Sequence, residues 1–533
     1  MAAELAVFGA RIRTMDPDRP LATALAVKDG VLVAVGADDE VRQACDASTS
    51  VLGGAGWAIT PGLTDGHQHL FGGAEHGQGV DFDRIADLDG VRAALAAARK
   101  RVGPGNWVLG YALEYAAFGG RAYHHDLIDA AAGDGPVLVY SLDQHTAFAN
   151  AEALRLARVD GPRRFDSNSV VVCDESGRPT GELQEMDAAQ LVRSAMPQAT
   201  FEEKLSWYKE AICKQNAVGL TGVHLMDGTF QTTEVLEALE ASGDLGLRVA
   251  VHYSIRPSTD PSVIDEIIRG AARAGAHWSA SGVKFVIDGV VETGTAWLEE
   301  PDSEGGGTEP LWPDVEQYRA TVRRFHDAGF RIATHAIGDR AVREVLDTYE
   351  TLPGGARRHR IEHIETAPES IISRFAPLGI TASMQPIHLR WMKPDLSDPW
   401  SKRLGPHRCL HTMPSGDLSA KGARVVLGSD WPVAPYDPRL GFVAAQLRRA
   451  PDIEDAGPIG ASRPLSGAET LAGYTVNAAE VIGESDAAGM LRPGFRADFV
   501  AWAEDPSACP PADVAELPVH ATVVGGRLVH EGG

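Results

Sequence analysis

The chain has 533 residues, too many for one ordinary hydrophobic core and enough for about three folding units, although an α/β barrel can absorb about 250 as one domain. Apolar residues make up 44% and charged residues 23%, a globular composition that excludes wholesale disorder. With 49 Lys and Arg against 73 Asp and Glu the net charge is −24, which argues against nucleic-acid binding and against anionic membrane surfaces. The five cysteines are scattered and form no CxxC pair, so neither a disulfide scaffold nor a thiolate zinc cluster is expected. No basic-then-apolar leader and no apolar run of about 18 residues is visible. The expectation is a soluble cytoplasmic protein acting on a small molecule.

In chain order, residues 1–60 read as short alternating strands (LAVFGARIRTM, ALAVKDGVLVAVG, STSVLGGAGWAIT) punctuated by the turn pair Asp29-Gly30. Residues 486–533 look the same, which predicts one small β-sandwich domain assembled from both termini. Between them, over 61–485, the run AITPGLTDGHQHL is followed by seven short apolar segments: Leu220–Met226, Leu247–Tyr253, Val283–Ile287, Phe330–Thr334, Arg360–Ile364, Ile380–Met384 and Arg424–Leu427. Helical patterns over 232–242, 261–275, 315–329, 339–352 and 368–379 separate most of them. Strand–helix alternation predicts a parallel sheet, and a count of eight favours a closed (β/α)₈ TIM-type barrel over an open sheet. The gap of about 150 residues between His69 and Leu220 is too long for a βα loop. It predicts a large insert after barrel strand 1, residues 72–200, covering the barrel mouth, with 201–218 as the first barrel helix. The Gly/Pro-rich stretch 301–313 after strand 4 reads as a candidate mobile lid.

Residues two apart on a strand share a face, so His67 and His69 can address one point at the C-terminal end of the first barrel strand, where barrel enzymes keep their chemistry. An isolated HxH is as often a solvated edge. Here other strand ends supply matching groups: Lys284, His335, His363 and Asp430. Together they predict a metal site of nitrogen and oxygen ligands. Zinc suits that ligand set, in one or two divalent ions, with iron or manganese as alternatives.

The motifs PGLTDGHQH, VKFVIDGVVETGTA, THAIGDRAV, RIEHIE, SMQP, LGSDWPV and MLRPGFRADFVAW, with LVYSLDQHTAFANAEAL in the insert, resemble the amidohydrolase superfamily. Within it they resemble the large-insert branch, amidohydrolase family 3, which includes N-substituted formamide deformylases. The resemblance spans essentially the whole chain. It implies His67 and His69 on one metal, His335 and His363 on a second, Lys284 bridging them as an N-carboxylated lysine, and Asp430 both binding metal and moving protons. It also implies cleavage of a C–N bond in a small amide such as an N-substituted formamide or N-acyl amine, and a homodimer is an expectation of the same kind. A deaminase, a cyclic-amide hydrolase or lactonase, and a catalytically silent binding protein are the alternatives.

Other residues carry two readings each. Lys284 has the alternative of a salt bridge to Asp288 or Glu292. His145 in the insert and Gln385 after strand 7 are candidate substrate contacts or structural braces, and Trp431 either walls the pocket or packs in the core. Asp339-Arg340 reads as a cap of the fifth barrel helix, His252 at the end of strand 3 as lining the pocket or as structural, and His124-His125-Asp126 as a solvated loop whose side chains diverge. Glu182 and Glu185 have no partner apparent from sequence.

Overall fold

The structure is a computed structural model describing residues 2–532 apart from 84, 86, 143, 166–168, 271–272, 356–357 and 454–455. Its centre is one eight-stranded sheet in chain order: β1 Leu63–Gln68, β2 Leu220–Gly228, β3 Arg248–Ile255, β4 Trp278–Val286, β5 Arg331–Ala336, β6 Arg360–His363, β7 Thr381–Met384 and β8 Val425–Leu427. Every paired neighbour from β1 to β8 is parallel. The sheet curls until β8 meets β1. Asp65 accepts from the Ser429 N–H (3.0 Å) and hydroxyl (2.5 Å), and the Asp430 N–H donates to the His67 carbonyl (2.8 Å). This seam needs glycine, because a Cβ on Gly428 would stand 2.4 Å from the His67 nitrogen. The architecture is an α/β barrel of TIM type.

The run AITPGLTDGHQHL serves two sheets. Ala58–Pro61 pairs with Phe499–Trp502 in a six-stranded sheet drawn from both ends of the chain, and β1 starts after Gly62. A four-stranded sheet of N-terminal strands shares a buried cluster with it, including Val7, Leu25, Ile59, Phe499 and Val523. Residues 80–184 contain a separate six-stranded sheet with its own buried cluster around Phe82, Leu95, Val137 and Phe148. The helix Phe201–Asn216 opens with a capping box: Glu203 N–H donates to the Thr200 hydroxyl, and Thr200 N–H to the Glu203 carboxylate.

Three local expectations need correction. The pattern over 368–379 forms two short helices, Glu369–Ile372 and Phe375–Leu378, since Pro377 has no N–H for the carbonyl four residues earlier. The helix expected over 261–275 spans Pro261–Arg269 and gives way at Gly270; positions 271–272 lie outside the described residues. The cap of the helix Asp339–Glu350 is Gly338, while the Asp339 carboxylate accepts the N–H of Glu299 from the segment after β4. Among the described residues, no helix is long and apolar enough to cross a membrane.

Candidate metal centre

At the C-terminal end of the barrel, β1 delivers His67, and His69 follows one residue past the strand as the cap of helix Leu70–His76. The Nε2 atoms of both rings approach Asp430 Oδ1, at 3.2 and 3.1 Å. His67 Nδ1 lies 2.6 Å from Glu362 Oε2. Glu362 is fully buried. Burial would raise its pKa, yet the Arg360 guanidinium and His67 hold it well below the usual carboxylate range, so it is an acceptor and His67 Nδ1 carries the proton. That orientation leaves His67 Nε2 facing Asp430 Oδ1. Asp430 Oδ1 has no hydrogen-bond partner despite its burial, nor have His363 Nδ1 and His388 Nε2. Asp430 Oδ1, His363 Nδ1 and His388 Nε2, buried and unbonded beside one another, are atoms a cation would satisfy, and this donor set fits a divalent metal.

The other strand ends complete the cluster. His363 Nδ1 stands 3.8 Å and His388 Nε2 3.9 Å from Asp430 Oδ2, and these three form a second converging group beside His67, His69 and Asp430. The His335 ring lies 4.3 Å from that of His363, with its Nε2 turned 3.3 Å from the Gly289 carbonyl. Burial, with the neighbouring Lys284, drives the His335 pKa well below its ordinary value; burial and His335 do the same for His363, so both rings are neutral. Lys284 Nζ is 3.2 Å from His67 Nε2, and burial pushes its pKa down to about 8. It forms no pair with Asp288, whose buried carboxylate instead takes the N–H groups of Trp297, Ile337 and Gly338. His363 and Asp430 adopt φ of +74° and +62°, strained backbone that turns the side chains at the strand ends inward.

Beneath the donors lies a polar plug. Arg360 donates to Glu362 (2.5 and 2.9 Å), to the Gly66 carbonyl (2.5 Å) and the Ser383 hydroxyl (2.5 Å), and stands 2.9 Å from His224 Nδ1. Above them a cavity of about 500 Å³ is walled by barrel ends, by insert residues such as His145, Glu185 and Met186, and by Trp391 and Trp400 after β7. His145 Nδ1 is 2.8 Å from Glu185, the partner not apparent from sequence. Among the described residues the cavity wall includes neither Gln385 nor Trp431. Gln385 is fully buried with both amide atoms unbonded, and Trp431 packs edge-on against Tyr436. The stretch 301–313 is tied down, with Arg403 bonded to Asp302 at 2.6 Å and Arg408 to the Pro301 carbonyl at 3.4 Å.

Two further placements differ from the sequence reading. The rings of His124 and His125 lie 4.3 Å apart and converge with Asp126, where divergence was expected, because a single turn of 3₁₀ helix folds them together; Asp126 remains exposed. His252 sits within β3, buried beside His224. Glu362, Arg360, Asp65 and His388 were missed. Strand alternation in RIEH points to the first two, since Arg360 and Glu362 share a face. His388 follows β7 on a 3₁₀ turn and carries no spacing signal.

A parallel barrel whose strand ends gather histidines and a carboxylate is the architecture of metal-dependent hydrolases. Residues 55–530 match the model of the amidohydrolase family. The chain is 28% identical to putative amidohydrolase YtcJ of Bacillus subtilis, over 98% of each chain. It is 27% identical to the N-substituted formamide deformylase of Arthrobacter pascens, over 99% of this chain and 98% of that one. An uncharacterized metal-dependent hydrolase from Pyrococcus horikoshii shares the fold, with a TM-score of 0.74 at 23% identity over 95% of this chain and 99% of that one. The chain belongs to the amidohydrolase family, and it is a hydrolase acting on carbon–nitrogen bonds.

Proposed function

We propose that the protein hydrolyses the C–N bond of a small organic amide, an N-substituted formamide or N-acyl amine, in the cavity above His67 and Asp430. The observation that carries this is the convergence of His67 Nε2 and His69 Nε2 on the buried, unbonded Asp430 Oδ1, beside a lysine whose pKa burial pushes down to about 8. In this reading His67, His69, His335, His363, Asp430 and Lys284 hold the metal, zinc being favoured, and Lys284 does so as its N-carboxylated form. A neutral buried amine takes up CO₂, whereas an ammonium does not. When bound, the metal supplies Lewis acidity that polarises the amide carbonyl and acidifies water. Asp430 takes the proton of the attacking water and returns it to the departing nitrogen, so the products are a carboxylic acid and an amine. His145, oriented by Glu185, meets the substrate from the insert side, and residues 72–200 act as the cover that selects it. The strands from both termini form a supporting β-sandwich. Five free cysteines accord with a reducing, cytoplasmic setting.

The test is a hydrolysis screen on metal-analysed protein against formamides, N-acyl amines, cyclic amides and lactones. Amine release that stops on chelation and returns with zinc is expected. Ring-opening of lactones alone would overturn the reading. Uptake of ¹³C-bicarbonate giving a carbamate carbon signal in wild type, absent in Lys284→Ala, tests the lysine.

A further inference from the structure

Arg256 follows directly on β3. Ser254, two residues earlier, is in register with Lys284 on β4, so Arg256 stands about 7 Å further along the strand direction, toward the mouth, at about 3.3 Å per residue. Its backbone is fixed: the N–H donates to the Thr259 hydroxyl at 2.8 Å, and its carbonyl accepts the Thr259 N–H at 3.0 Å. Its side chain lines the cavity and is 41% exposed. Among the described residues the guanidinium meets one carboxylate, Asp187, at 3.9 Å, beyond hydrogen-bond distance.

Several other charged groups on the wall have partners of their own. Arg193 is held by Glu75 at 2.8 Å. Glu185 accepts from His145 and Thr295, Glu365 from Trp400 at 2.7 Å, and Asp227 from the Gly72 N–H. A guanidinium has five donors in a rigid fork matched to a carboxylate. Among the described residues nothing bonds it at hydrogen-bond distance, so an incoming anion would displace only a loose contact.

We propose, on the amide-hydrolase reading of this cavity, that Arg256 anchors a carboxylate of the substrate, so that the substrate class is an amide bearing a carboxylate on its amine portion. The apolar remainder of the substrate rests on Trp391 and Met186. Specificity on this wall is then set from β3 and the insert together, since Asp187 holds the fork loosely until the substrate arrives.

The test compares N-formylphenylalanine with N-formyl-2-phenylethylamine, which differ only by the carboxylate, on metal-loaded wild type, Arg256→Met and Arg256→Lys. Wild type is expected to favour the carboxylate by about 10- to 100-fold in kcat/KM, chiefly through KM, as a charge-assisted hydrogen bond implies. That ratio is expected to collapse toward one in Arg256→Met and to recover in part in Arg256→Lys, which lacks the fork. Arg256→Gln replaces the Met variant if the latter does not fold. An unchanged ratio in the variants, or a wild type that prefers the neutral amide, overturns the proposal. If neither formamide is cleaved, the amide reading is wrong, and Arg256 is judged by calorimetry with 3-phenylpropionate and 3-phenylpropan-1-ol on the same proteins. Equal binding of 3-phenylpropionate to wild type and Arg256→Met overturns the assignment; tighter binding to wild type, with the alcohol unaffected, upholds it.

Discussion

Glu362→Gln separates the plug beneath the centre from the donors above it. The carboxylate uses both oxygens: Oε1 takes Arg360 Nε at 2.5 Å, and Oε2 takes His67 Nδ1 at 2.6 Å and Arg360 Nη2 at 2.9 Å. Glutamine keeps the shape but offers one oxygen and one NH₂, so a donor must face either Arg360 or His67. A buried donor left unsatisfied costs about 1–3 kcal/mol, and a buried arginine stripped of its counter-charge costs about 3–5 kcal/mol. Arg360 retains Gly66 O and Ser383 Oγ, which places the expected loss near 3 kcal/mol. Where His67 gives way, its ring is no longer held in the Nδ1–H tautomer, and metal affinity is expected to fall about 10- to 100-fold, as for other partners behind metal-binding histidines. Chelator competition measures the affinity and thermal melts of chelated protein measure the stability. Ser383→Ala is the control, removing one Arg360 contact without touching His67; it is expected to lower the melting temperature and leave the metal alone. Wild-type metal affinity within about twofold in Glu362→Gln would refute the coupling.

Asp430→Asn is expected to retain metal while turnover falls by at least about 10²-fold, the low end of a lost general acid–base group; steady-state kinetics on metal-analysed protein decide it. Gly428→Ala puts a methyl against the His67 backbone at 2.4 Å, and its cost is expected at the upper end of the about 1–3 kcal/mol of overpacking, read as a lower urea midpoint; wild-type stability would mean that the β1–β8 seam yields. Acid should destabilise the fold through its buried histidines, an effect offset in part by Asp65 and Asp288, whose carboxyls burial pushes up to about 6 and about 7. His76, His252 and His359 are each pushed by burial down to about 3, whereas the unfolded chain binds those protons near about 6.5. Their stability is complete above about pH 6.5 and lost as pH falls toward 3, by up to about 4 kcal/mol per unit for three protons. A flat urea midpoint between pH 7 and 5 would contradict it.

The barrel was legible because eight short apolar segments alternate with amphipathic ones, a pattern that needs no tertiary information. The donors were legible because HxH and the strand-end residues sit where a barrel places chemistry. Glu362 was readable by parity, since it shares a strand face with Arg360. His363 itself breaks parity, reaching the centre only through a left-handed φ that no propensity announces. His388, Glu185 and the Arg360 plug depend on which loops and strands meet in space. Single-sequence periodicity carries no such information, since Arg360 and Gly66 are 294 residues apart.

That separation has a physical consequence for how the site is held. His67 comes from β1 and Asp430 from just beyond β8, the two strands whose meeting closes the sheet, and Asp65 joined to Ser429 fixes their register. The bonds that close the barrel are therefore the bonds that aim the first and last donors at one another. Glu362 extends the same network to β6, and Arg360 carries it to β7 through Ser383 and to β2 through His224. A donor displaced on any of these strands shifts the others through buried hydrogen bonds with little slack. Chemistry can then be varied through the loops and the insert while the seam and the plug keep the donors fixed.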